Sequence, residues 1–212
     1  MSVESVLEAI SHHKIVAIVR AENAEEAWES GSAVIEGGLP IVEVSLNTPG
    51  ALSSIAKLAS QTEGIIGAGT VLTVTDVAKV VDAGAQFVVT PNFNPDVVSA
   101  VREAGLVVGP GVFTATESHQ ALTLGAHLLK LFPASSAGVA LMRSLRGPFP
   151  SARWLPTGGI SPENLAEWLE AGAFGVGMGS ALTKGHPDHV RALATTLSQR
   201  LSNAPSTIRQ EK

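Results

Sequence analysis

The sequence predicts an α/β chain folded as a compact (β/α)8 barrel with an extra N-terminal helix, one domain over residues 1–202. Three observations lead there. Eight short apolar runs alternate with amphipathic stretches along the 212 residues. Successive runs begin roughly 20–26 residues apart, the length of one tight βα unit. Several amphipathic stretches close on an acid-Ala-Gly or Glu-Gly-Gly ending, a weak internal echo of one repeated unit. An open doubly wound sheet would instead carry a G-x-G-x-x-G turn after its first strand. Residues Ile15–Asn23 contain no glycine at all.

The elements follow in order. Residues 1–14 read as an added helix covering the N-terminal mouth of the barrel. The eight strands are Ile15–Arg20, Ile41–Ser45, Ile65–Thr70, Phe87–Thr90, Val107–Pro110, Leu128–Phe132, Trp154–Thr157 and Phe174–Met178. Most are near-continuously apolar, as parallel strands covered on both faces must be. The helices between and after them are Ala24–Glu36, Ala51–Ala59, Asp76–Ala83, Pro95–Ala104, Thr116–Leu124, Val139–Leu145, Pro162–Ala171 and Pro187–Leu201. Thr75 precedes one helix as a cap, and Ser161 with Pro162 opens another. Glycines after Glu36, Asp82, Glu103 and Glu170 stop helices. Asn203–Lys212 is a polar tail.

Composition narrows function. Hydrophobic residues make up 45% and charged residues 16%, which excludes a disordered chain. A net charge of −5 argues against a basic footprint, so no nucleic-acid partner is expected. With no cysteine, disulfides, thiolate catalysis and Cys-based zinc sites are excluded. No uncharged run reaches the ~18 residues of a membrane span. The N-terminus lacks a basic region followed by an apolar core. A cytoplasmic protein without a membrane partner is the expectation. The six histidines form no HxH or HExxH pair, so no metal site is expected.

In a barrel of this kind, function sits at the C-terminal ends of the strands. Polar residues inside apolar strands are therefore the candidates. Of six lysines, only Lys130 lies within an apolar strand, LLKLFP. Period-2 alternation turns Leu129 and Leu131 toward the helices and Lys130 inward. A desolvated lysine loses basicity and becomes a nucleophilic amine at neutral pH. The competing reading is a structural lysine paired with a carboxylate. Glu43, in IVEVS, also points inward, either as a general acid/base or as an ion-pair partner of Lys130 or Arg20. Arg20 ends the first strand and suits a carboxylate or phosphate, unless it is an ordinary loop arginine. Thr70, after GAG, is a hydrogen-bond donor to a carboxylate or a turn residue. Glycine pairs at Gly158-Gly159 and Gly177-Met178-Gly179-Ser180 follow strands seven and eight, where this fold recurrently cradles phosphate. Otherwise they are simply tight turns.

These segments together carry a resemblance. IVEVSLNTPG, IIGAGTVLT, FVVTPNFNPDVV, LLKLFPAS and RWLPTGGISPENLAEWLEAGAFGVGMGSAL occur in colinear order from Ile15 to Lys184. They resemble the 2-keto-3-deoxy-6-phosphogluconate aldolase family, which includes 4-hydroxy-2-oxoglutarate and 2-keto-3-deoxy-6-phosphogalactonate aldolases. The resemblance implies a class I aldolase on a compact barrel, assembled as a homotrimer. It implies Lys130 as the Schiff-base lysine and Glu43 as the proton shuttle through water. Arg20 and Thr70 would contact the pyruvyl carboxylate region. Pro91, Phe132 and Thr157 would line the pocket, and Gly158, Gly159, Gly179 and Ser180 would hold the phosphate. The implied partners are a 2-keto-3-deoxy sugar phosphate and pyruvate, with no cofactor. Many members read E-V-T-L-R-T after the second strand, whereas this chain has Asn47 in place of that arginine. The L-N-T-P stretch is similar to the phosphogalactonate branch. Arg146-Gly-Pro-Phe-Pro and Leu155-Pro-Thr-Gly-Gly are more similar to the phosphogluconate branch. Two other readings stay open: a phosphosugar isomerase or synthase on the same barrel, and a phosphate-binding barrel without catalysis.

Overall fold

A computed structural model describes residues 1–203. Residues 204–212 of the expected tail lie outside them. The chain opens with helix α1 (Val3–His13), capped by the Ser2 side chain, which accepts the Ser5 N–H. Its buried face, Val6, Leu7 and Ile10, packs into one cluster with Val16, Ile41, Ile65, Phe87, Val107, Leu128 and Leu155. Most of these lie at or near the starts of the expected strands, so α1 covers the N-terminal end of the sheet. Each such buried aliphatic side chain contributes about 1.5–3 kcal/mol.

Six strands form one parallel sheet: β1 (Ile15–Val19), β2 (Ile41–Ser45), β3 (Ile65–Gly69), β4 (Phe87–Val89), β5 (Val107–Gly109) and β8 (Val176–Met178). Their order is β5-β4-β3-β2-β1-β8, so each of β1 to β4 lies beside its successor in the chain and β8 returns to β1. This is a curled parallel sheet. Beyond its β5 edge, β6 (Gly111–Val112) pairs with β7 (Lys130–Leu131). Two single parallel bridges, Leu129 with Trp154 and Thr157 with Gly177, occur in the remaining segment.

Two expected strands are broken for the same reason. Val107–Pro110 ends at Gly109 and resumes at Gly111, because Pro110 has no N–H to donate. Trp154–Thr157 makes bridges only, because Pro156 sits in its middle.

Helices α2 (Ala24–Glu36), α3 (Ala51–Gln61), α4 (Val74–Asp82), α5 (Pro95–Glu103), α6 (Ala115–Thr123), α7 (Ala134–Arg146), α8 (Leu165–Glu170) and α10 (Pro187–Ser202) follow the expected stretches. The acid-Ala-Gly endings behave as read: Ala83, Ala104 and Ala171 close their helices, and the following Gly84, Gly105 and Gly172 have φ of +88°, +73° and +91°.

The starts are less well read. α4 is capped by Thr73, not Thr75, with the Thr73 hydroxyl accepting the Asp76 N–H. α8 starts after Asn164, not at Pro162. In α7, Gly138 is non-helical (φ 69°, ψ 160°), so the helix beyond this kink starts at Val139 as expected, and a short helical piece from Ala134 precedes it. A four-residue helix, α9 (Ser180–Thr183), was not expected. Among the described residues, no helix is long and apolar enough to cross a membrane.

Candidate active site

Alternation along the strands divides the core in two. Ala17, Val42, Val44, Leu129 and Leu131 belong to the cluster shared with the helices. Their neighbours on the opposite face enclose a cavity of about 750 Å3. Arg20, Glu43, Thr70, Pro91, Lys130, Phe132, Thr157, Gly158, Gly159, Gly179 and Ser180 all line it. Residues far apart in the chain are thus brought together by strand ends alone.

Lys130 stands on β7, its backbone N–H donating to the Pro110 carbonyl at 3.0 Å. It is only 5% exposed. Its ammonium nitrogen lies 4.9 Å from the centroid of the Phe132 ring. Burial holds the amine below the usual lysine range, Glu43 pulls it back up, and Arg20 pushes it further down. Glu43, on β2 and 2% exposed, is the complementary group. Burial lifts its carboxyl above the usual range, opposed by the charges of Lys130 and Arg20. Its Oε2 has no hydrogen-bond partner in the protein. An unsatisfied buried carboxyl oxygen is expensive in a resting structure, and it is free to exchange a proton with whatever enters the cavity.

Room for Glu43 comes from β3. Glu43 sits opposite Gly67 in register, and Ser45 opposite Gly69. A Cβ built on Gly69 would overlap the Glu43 carboxyl group. Gly69→Ala is therefore expected to lower kcat by about tenfold or more and to destabilise by about 1–3 kcal/mol, from overpacking. Gly147→Ala is the control, since a Cβ there meets only the Ser144 carbonyl at 3.4 Å. Steady-state rates and thermal melts of both variants check this.

Past Gly69 the chain enters Thr70 with φ of +60°, a region β-branched residues rarely adopt. The Thr70 and Ser45 hydroxyls lie 2.9 Å apart and share a hydrogen bond. This bond ties the strained residue to the end of β2. Arg20 follows β1 at the cavity rim. The next residue, Ala21, donates its N–H to the buried Thr48 hydroxyl at 3.1 Å, which fixes the turn that carries the arginine. Thr157 is buried and donates to the Leu155 carbonyl at 3.1 Å.

Beyond Thr157, Gly158 and Gly159 have φ of +92° and +82°. The Thr157 and Gly158 carbonyls accept the N–H groups of Ala134 and Ser135, each at 2.8 Å. The Gly159 carbonyl accepts the Asn164 side-chain amide at 2.9 Å. Three successive carbonyls are thus engaged, and two adjacent glycines at positive φ let the backbone come close to whatever occupies the cavity.

The sequence model of the KDPG and KHG aldolase family matches residues 6–192. The chain belongs to this family. It is 40% identical over 171 residues to the 2-dehydro-3-deoxy-6-phosphogalactonate aldolase of Escherichia coli K12, covering 79% of this chain and 83% of that protein. It is 39% identical over 167 residues to the 2-dehydro-3-deoxy-phosphogluconate aldolase of Treponema pallidum, covering 78% and 80%. Among solved structures, KDPG aldolase from Legionella pneumophila, with pyruvate captured as a covalent carbinolamine intermediate, superposes with a TM-score of 0.84. That match has 27% identity and covers 90% of this chain and 97% of that one.

Within this KDPG and KHG aldolase fold, the arginine that many members carry after the second strand is Asn47. Asn47 is exposed and does not line the cavity. The histidines stay apart from the cavity; His127 accepts the Val108 N–H through Nδ1 at 3.2 Å, a structural bond. Among the described residues, no group of three or more His, Asp or Glu gathers as a metal site.

Sequence reasoning did not single out Ser45, Thr48, Gly69 and Asn164. Only Gly69 left a signal, as an inward glycine in a strand, which marks a close approach by another group. Glu22, Glu26, Glu29 and Lys184 line the cavity as well.

Proposed function

We propose that this protein is a class I aldolase. It reversibly cleaves 2-keto-3-deoxy-6-phosphogluconate to pyruvate and glyceraldehyde 3-phosphate, and also accepts 4-hydroxy-2-oxoglutarate. The observation that carries this reading is the buried Lys130 amine sharing one cavity with the buried, unpartnered Glu43 carboxyl.

The chemistry follows from their protonation. Neutral Lys130 attacks the C2 ketone, giving a carbinolamine that loses water to become an iminium ion. Glu43 gives its proton, through water, to the hydroxyl that leaves the carbinolamine, and the carboxylate so formed then removes the C4 hydroxyl proton. The C3–C4 bonding pair moves into the iminium, leaving a neutral enamine, and the aldehyde departs. Proton return to C3 and addition of water release pyruvate and the free amine. Arg20 and Thr70 hold the pyruvyl carboxylate. Pro91, Phe132 and Thr157 shape the walls. Gly158, Gly159, Gly179 and Ser180 hold the phosphate, whose remote binding energy orients C4.

The phosphogalactonate alternative rests on the L-N-T-P stretch and on the 40% identity to the Escherichia coli phosphogalactonate aldolase. Asn47 is exposed and is not among the residues that line the cavity. The test is the cleavage rate with each epimer, read through pyruvate release. Higher kcat/KM for the gluconate epimer is expected; a higher value for the galactonate epimer would reverse the assignment.

Three further elements belong to this reading. The sheet closes as an eight-stranded (β/α)8 barrel, supported by the β6–β7 pair and the bridges at Trp154 and Thr157. The protein works as a homotrimer, supported by the exposed apolar side chains Leu72, Val74 and Phe113. Light scattering is expected to return three chain masses. The reaction runs in the cytoplasm, because its charged sugar phosphates do not cross a bilayer unaided.

A further inference from the structure

Asn164 stands at the start of α8, where an asparagine ordinarily accepts an N–H of its own helix. Asn23 and Asn94 do so at the starts of α2 and α5. Asn164 makes no such bond. Its side chain turns back instead onto the preceding loop. Oδ1 accepts the Ser161 N–H at 2.9 Å, and the Nδ2 amide donates to the Gly159 carbonyl at 2.9 Å. The amide thus spans the loop from both sides. It engages the carbonyl of Gly159, one of the two adjacent glycines that line the cavity. The Ala134 and Ser135 N–H groups hold the Thr157 and Gly158 carbonyls, and the Asn164 amide holds that of Gly159. Gly159 is exposed and has φ of +82°, and a Cβ there would press on the Ser135 side chain at 2.6 Å. Two adjacent glycines are conformationally permissive, so a loop that must keep one shape against a phosphate needs side-chain restraint.

We propose that Asn164 is a positioning residue for phosphate recognition: its side-chain amide sets the Gly158-Gly159 loop so that the enzyme selects phosphorylated over unphosphorylated aldehydes. This rests on the aldolase reading of the cavity above. Asn164 touches no substrate and acts only through the loop. Losing the amide therefore weakens the contact made by phosphate and not the chemistry at Lys130.

The experiment measures pyruvate condensation with glyceraldehyde 3-phosphate and with glyceraldehyde, for wild type, Asn164→Ala and Asn164→Asp. The readout is the ratio of the two kcat/KM values. In Asn164→Ala this ratio is expected to fall by about tenfold or more, mainly through KM for the phosphorylated aldehyde. Asn164→Asp separates the two structural roles. Aspartate starts a helix as well as asparagine does and still accepts the Ser161 N–H, but it cannot donate to the Gly159 carbonyl. It is expected to lose the preference as alanine does. A wild-type ratio in either variant, or an equal loss with both aldehydes, would overturn the proposal. Borohydride trapping of pyruvate on Lys130, run on the same samples, reads the aldolase chemistry separately. An adduct in all three proteins with an altered ratio supports Asn164's role. Wild type that gives no adduct would reject the aldolase reading itself. Wild type that gives an adduct but shows no preference for the phosphorylated aldehyde would reject the phosphate loop, and the role of Asn164 with it.

Discussion

Lys130→Met eliminates aldol cleavage, with kcat/KM reduced by at least about 10⁴-fold, equivalent to ~5 kcal/mol of transition-state stabilisation. The size follows from what the amine does. Without an iminium, cleavage of C3–C4 leaves a bare carbanion, and the other lysine that lines the cavity, Lys184, is exposed and not buried beside Glu43. Lys130 is buried against Phe132 and held down in basicity mainly by desolvation, so the reactive neutral amine is available well below the pH at which an exposed lysine would supply it. Methionine fills nearly the same volume, so the loss of rate is expected without loss of fold. Circular dichroism and thermal melts beside the kinetics check both halves. Retention of more than a few per cent of activity would return Lys130 to a structural role.

Glu43→Gln lowers kcat by about 10²–10⁴-fold, the range of a lost general acid–base group. The glutamine keeps the shape that fits over Gly69 but cannot carry the proton. The same substitution has a stability signature with a defined sign. Burial raises the Glu43 carboxyl above its ordinary value of 4.5. A raised carboxyl contributes stability that is fully present below the ordinary value and is lost as pH rises through the folded-state value. Glutamine does not titrate. The melting temperature of Glu43→Gln minus that of wild type is therefore expected to grow as pH rises from the acid range toward neutrality. Thermal melts across that range check it. A difference that stays flat or shrinks would mean that Glu43 is already ionised and paired in the resting protein. A stabilising substitution that inactivates is the mark of a group kept for chemistry.

How much of this was legible in the sequence depended on the kind of signal. Lys130 and Glu43 could be read because a charge inside an apolar strand has only two faces to choose from, and alternation with Leu129, Leu131, Val42 and Val44 chooses one. The helix ends could be read because a left-handed glycine leaves a fixed sign, as at Gly84 and Gly172. Starts were harder. Thr73 and Thr75 are equally good caps by composition, and only the tertiary fit of α4 decides between them. Strand seven was legible as apolar but not as a ladder, since Pro156 removes the donor that extended pairing needs. Asn164 was hidden by its own position. The sequence places it inside a helix opened by Ser161 and Pro162, and only the structure shows that it starts the helix and faces backward. Thr48 and Ser45 were invisible for a related reason. Each acts on a backbone or hydroxyl group from another βα unit, and no local pattern records that meeting.

The central claim is a covalent bond between the substrate ketone and Lys130. The measurement that tests it most directly is incubation with pyruvate and borohydride, followed by peptide mass spectrometry. The account predicts one reduced pyruvyl adduct, on the peptide that carries Lys130, absent from Lys130→Met. An unmodified folded protein, or an adduct on Lys184 at the rim in place of Lys130, would contradict it.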